Sequence, residues 1–114
     1  MNDLLTVNLK ENMPPVDIAL CNMELEIELG KITGIKAIKF IHGYGSNGTG
    51  GLICRAVRER LFSLKKQKII KDYIFGEDWD LNNPKCFKLI TSISNGYDGE
   101  DLNHGNAGMT IVFL

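Results

Sequence analysis

Long apolar runs are missing from this sequence: none approaches the roughly 18 residues that a membrane-spanning helix needs, so no membrane role is expected. The opening MNDLLTVNLKEN has neither the basic start nor the apolar core of a secretory signal, and the expectation is residence in the cytoplasm. Cysteine is scarce. Cys21, Cys54 and Cys86 are far apart, odd in number and form no Cys-x-x-Cys, which excludes a disulfide framework or a zinc site read from spacing. Reduced, mostly buried thiols are the expectation, with no metal and no cofactor. There is no internal repeat, low-complexity tract or linker, so residues 1–114 are expected to form a single domain. Excess charge is missing as well: the net charge of −1 excludes a uniformly basic nucleic-acid binder.

What is present is 44% hydrophobic and 24% charged, an ordinary balance for a chain with a core. The charge is unevenly placed. Between Lys31 and Lys71 lie ten basic residues and one acid, Glu59, whereas the remainder holds three basic residues and thirteen acids. The middle is thus +9 and the rest −10, and a local basic field attracts polyanions whatever the total charge.

Residues 4–9 (LLTVNL) read as a first strand, broken by the prolines at 14 and 15. Val16, Leu20, Met23 and Ile27 then recur at helical spacing over 16–29, with Gly30 and Gly34 bracketing the end. Residues 35–41 (IKAIKFI) read as a central strand. A second helix follows over about 52–66, with Ile53, Ala56, Val57, Leu61 and Leu64 on its core face, and residues 69–75 read as a third strand. Asn83-Pro84 can open a short helix carrying Phe87, Leu89, Ile90 and Ile93, with a strand as the alternative. Residues 109–114 (MTIVFL) close a sheet as a strand too apolar for a wet face. The fold class is therefore α/β, an α+β two-layer sandwich. Its order is β-α-β-α-β-β, with a four-stranded mixed sheet, two helices on one face and a short insertion (76–104) before the last strand. Two helices cover one face only, which leaves the other partly wet or free for a protein partner. A monomer is the default.

Between the second strand and the second helix stands His42-Gly43-Tyr44-Gly45-Ser46-Asn47-Gly48-Thr49-Gly50. It spells G-x-G-x-x-G, but a dinucleotide fingerprint belongs on the first β-α turn of a larger doubly wound sheet. Thr49 and Gly50 after Gly48 also rule out a P-loop lysine. Glycines admit close backbone approach, and a loop entering a helix N-terminus offers free N–H groups and a positive dipole end. Ser46, Asn47 and Thr49 add side-chain donors, and Arg55 and Arg58 follow in the first two turns. Such a loop suits phosphate or a phosphodiester backbone; a merely flexible turn is the alternative. His42 is either a hydrogen-bonder to the loop or a donor to phosphate.

The run IKAIKFIHGYGSNGTGGLICRAVRERL resembles the central signature of small MutS-related (Smr) domains, and GNAGMTIVFL resembles the closing strand of that family. The resemblance implies a fold like the carboxy-terminal domain of translation initiation factor three, and a nucleic-acid-binding function on DNA or RNA. In several members it extends to nicking DNA or cleaving RNA as endonucleases. The family also carries Leu-Asp-x-His-Gly at the end of its first strand. The matching positions here are Val7-Asn8-Leu9-Lys10-Glu11, so Asn8 replaces the acid and Lys10 the histidine. Asn8 cannot act as a base and Lys10 is normally a fixed charge. The expectation is phosphate binding through residues 42–50 with Arg55 and Arg58, without efficient cleavage. The alternatives are an altered nuclease using His42 and Lys10, and a small-anion, nucleotide or adaptor domain.

Asp98, Glu100, Asp101 and His104 match no calcium-loop spacing and read as a solvated loop. Tyr44 can stack on a base or pack on its own glycines. Trp79 and Phe87 are expected to cap the core beside the insertion, and the acids at 24, 26 and 28 to face solvent.

Overall fold

The computed structural model describes residues 3–44, 49–93 and 99–114, with only the backbone described at 49 and 50. Strands β1 (Leu4–Asn8), β2 (Ala37–Ile41), β3 (Asp72–Phe75) and β4 (Met109–Phe113) form one sheet in the order β1-β2-β4-β3. β1 runs parallel to β2, with Leu4 opposite Ala37 and Asn8 opposite Ile41. β4 runs antiparallel to both β2 and β3, pairing Met109 with Ile41 and Phe113 with Asp72. One edge of the sheet therefore collects the ends of β1, β2 and β3 and the start of β4. The opposite edge collects their other termini.

Helices α1 (Val16–Thr33) and α2 (Thr49–Lys66) cover one face, as expected. Met23 and Ile27 of α1 meet Ile53, Val57, Leu61 and Leu64 of α2 over Ile38, Phe40 and Val112. Gly30 lies inside α1 rather than at its end, and the helix stops one turn later at Gly34, whose φ of 80° closes the last turn. β3 begins at Asp72, not at 69. Lys68 turns the chain, and the Ile69 N–H donates to the Leu64 carbonyl at 2.9 Å, so Ile69 and Ile70 pack as a plug under α2.

The second face is not left open. A single 3-10 turn (Gly76–Asp78) and α3 (Pro84–Thr91) fold over it, burying Trp79, Cys86 and Ile93 against Ala37, Ile74, Met109, Ile111 and Phe113. The short helix opened by Asn83 is thus a third layer. Asn83 caps it by accepting from the Lys85 N–H at 3.0 Å. Trp79 is fully buried there, whereas Phe87 projects into solvent at 58% exposure. Exposed apolar side chains also lie on the outer face of α1, at Ile18, Leu25, Leu29 and Ile32, and on α2 at Leu52 and Phe62. Of the cysteines only Cys86 is buried; Cys54 is half-buried and Cys21 exposed. Gly76 is obligatory: a Cβ there would stand 1.7 Å from the Asn106 carbonyl oxygen.

Candidate nucleic-acid interface

Of the sequence-derived site residues, Lys10, His42, Gly43 and Tyr44 follow directly on the ends of β1 and β2, at the edge where β3 also ends. Asn8 closes β1, and its side chain accepts from the Lys10 N–H at 3.1 Å. The Leu9 N–H extends the parallel ladder by donating to the Ile41 carbonyl at 2.8 Å. Lys10 is exposed and therefore emerges beside the strand that delivers His42.

His42 is buried with 0% exposure, and both ring nitrogens are engaged. Nδ1 lies 2.6 Å from the Gly43 carbonyl, which can only accept, so Nδ1 carries the proton. Nε2 lies 2.8 Å from the Thr110 hydroxyl and accepts from it. Burial disfavours the imidazolium; the Gly43 bond works against this, Arg58 adds to it and Glu77 opposes it, and the net pKa is below the ordinary value. The ring is neutral at neutral pH and locks β2 to β4. Beyond it the chain swings through Gly43 at φ 73°, a left-handed conformation that favours glycine.

The same turn is held from the backbone. The Gly108 carbonyl accepts from the N–H groups of both His42 (2.9 Å) and Gly43 (3.0 Å). Gly108 is positioned in turn by Asn106, whose Oδ1 accepts from the Gly108 N–H at 2.9 Å and whose Nδ2 donates to Asp101 at 3.0 Å. Asp101 forms an ion pair with the buried Lys39 of β2. Burial pushes the Asp101 carboxyl up, but hydrogen bonds from Lys39 and Asn106 outweigh it and hold the group below the ordinary carboxylate value. A relay of polar contacts thus runs from the middle of β2 to the turn at its end. Sequence reading missed this relay. Its one visible signal was Lys39, set between the apolar Ala37-Ile38 and Phe40-Ile41 in the middle of the strand.

Tyr44 is 65% exposed at the last described position before the loop. Residues 45–48, which include Gly45, Ser46, Asn47 and Gly48, lie outside the described residues, as do the side chains at 49 and 50. α2 starts at Thr49, and the first turn of any helix has N–H groups without intrahelical partners. Arg55 is exposed and has no ion pair among the described residues. Arg58 is committed: Nη2 donates to Glu77 at 2.6 Å and its guanidinium lies 4.1 Å over the Phe75 ring. Arg60 is tied to Glu24 of α1 at 2.9 Å, so that acid is not a free solvent-facing charge. Burial pushes the Cys54 thiol up, which leaves it protonated and inert beside this cluster.

Among the described residues no group of three or more His, Cys, Asp or Glu side chains converges as metal ligands would. Asp98 lies outside the described residues, and Glu100 and His104 are exposed.

No protein-family model and no curated protein matches this sequence. Among solved structures, the Smr domain of Thermus thermophilus MutS2 superposes with a TM-score of 0.59 at 21% sequence identity. The match covers 96% of this chain and 96% of that one. At that identity the likeness establishes a shared Smr-type fold along nearly the whole chain.

Proposed function

We propose that this chain is a nucleic-acid-binding domain that holds phosphates where β2 turns into α2 and that does not cleave them efficiently. The carrying observation is the His42-Gly43 turn, fastened by Gly108 and Thr110 at the carboxyl ends of two adjacent parallel strands and feeding the N-terminus of α2. Backbone N–H groups at such a terminus suit a phosphate. Arg55 and Lys10 flank it as uncommitted cations, and Tyr44 offers an exposed ring for a base. The Smr-type fold and the motif resemblance agree with this reading.

Absence of efficient cleavage is supported by the chemistry at the same edge. A phosphodiesterase needs a group that exchanges protons. His42 has no free nitrogen to do so, Asn8 has no acid function, and Lys10 offers a charge. His42 is in this reading a positioning residue for the turn rather than a contact to the ligand, and Arg58 braces α2 against β3 through Glu77.

The test is fluorescence anisotropy with labelled single-stranded, duplex and branched oligonucleotides over a salt series. The reading expects salt-sensitive binding that Arg55→Gln weakens several-fold, with supercoiled plasmid left intact with or without added metal. Binding unaffected by Arg55→Gln would remove the loop site, and nicking abolished by His42→Ala would remove the non-cleaving part.

A further inference from the structure

The register of the sheet splits the basic middle of the sequence between two poles. β2 ends at the edge where α2 starts, and β3 begins at the other edge, where α1 and α2 both finish. Of the ten basic residues in the +9 segment, Arg55 lies in the loop-side half of α2, whereas Arg58 and Arg60 lie past its midpoint and are already paired with Glu77 and Glu24. Lys31, Lys36, Lys66, Lys68 and Lys71 lie at the opposite pole, and all five are exposed. Lys31 donates to the Ile69 carbonyl at 3.0 Å, which keeps its charge unneutralised. Two acids share this pole. Asp72 sits between Lys65 and Lys85 at 3.0 Å each, and Asp3 precedes β1.

A cleft of about 630 Å³ opens here, lined by Lys31, Lys36 and Lys71 together with the acid Asp72, already held by Lys65 and Lys85, and by the apolar Ile35, Leu89 and Phe113. That volume lies in the range of ligand sites. A lining of point charges and apolar side chains matches a single-stranded nucleic acid, whose phosphates meet ammonium groups while a base lies on apolar surface. A small lipophilic anion would satisfy one lysine and leave the remaining field unused.

We propose that this distal cleft is a second contact for a single nucleic-acid strand, anchoring it by charge while the β2–α2 turn holds a phosphate at the other pole. This inference rests on the nucleic-acid reading above. The two contacts are separated by the length of α2, 18 residues or about 27 Å at 1.5 Å per residue. A strand of only a few nucleotides cannot reach both.

The experiment uses the full chain and labelled oligothymidylates, one long and one of four nucleotides, titrated over salt. Three proteins are compared: wild type, Arg55→Gln, and the triple variant Lys31→Gln/Lys36→Gln/Lys71→Gln, whose positions line the cleft and are exposed so that folding is retained, as circular dichroism checks. The inference expects the triple variant to bind the long strand at least tenfold more weakly. Its salt slope should be shallower by about two, as the loss of three phosphate contacts at about 0.7 each requires. The tetranucleotide should lose the advantage of length. A triple variant with wild-type affinity and slope overturns the inference; if Arg55→Gln is weakened at the same time, the loop reading stands alone. A weakened triple variant with an unaffected Arg55→Gln supports the distal cleft and removes the loop. Equal affinity for duplex overturns the strand assignment, and no binding by wild type overturns both readings.

Discussion

Lys39 is 4% exposed in a strand whose other side chains are apolar, and its charge is tolerable because Asp101 reaches it from the segment before β4. Removing one partner of such a pair is worse than removing the need for it. Asp101→Asn removes a charged partner from a buried ammonium and is expected to destabilise by roughly 1–3 kcal/mol. Lys39→Met replaces the charge by an apolar chain of similar length and is expected to cost much less; urea unfolding of the two variants gives the comparison. A second prediction concerns protons. The folded state holds His42 below its ordinary pKa, chiefly by burial, so the unfolded chain binds the proton first as pH falls. Stability is therefore unaffected above about pH 7 and declines as pH drops through about 6.5, by up to about 1.4 kcal/mol per pH unit. Urea midpoints from pH 8 to 5 should show that bend, and His42→Gln should flatten it.

Among the elements, the segment between β3 and β4 turns from an apparent insertion into a structural layer. Trp79→Ala empties a fully buried site and is expected to cost about 3–5 kcal/mol. Phe87→Ser, on the exposed side of α3, should change stability by no more than about 0.5 kcal/mol. Thermal melts distinguish the pair. Gly76→Ala is expected to unfold this layer or displace Asn106, since its Cβ would overlap the Asn106 carbonyl. The periodicities over 16–29 and about 52–66 made most of α1 and α2 legible because each buries one stripe. The strands were legible because β-branched residues cluster between glycine and proline breaks. The role of 76–93 was not legible: its apolar residues are few, and only the register of β4 shows which face they meet. The site was half legible for a similar reason. The loop's glycines announce a turn, but nothing in sequence spacing reveals that Thr110 occupies His42, or that Glu77 occupies Arg58.

At the scale of the whole molecule, charge and strand order set behaviour that no single residue does. A chain with net charge −1 that gathers five exposed lysines at one pole carries an uneven field, and its retention on heparin should fall steeply with salt despite the acidic total. The strand order has a consequence for how the protein is made. β4, the last strand in the chain, is the one that joins β2 to β3. While a ribosome is still upstream of residue 109, the β1–β2 pair has an open edge and β3 has no neighbour in the sheet. The helices already cover one layer, but unpaired edges of this kind recruit other chains. A chain stopped at residue 108 should therefore show no cooperative urea transition and should sediment with aggregates or chaperones. Folding thus waits for the strand that joins the two halves of the sheet, and the nascent domain stays open until residues 109–113 are available.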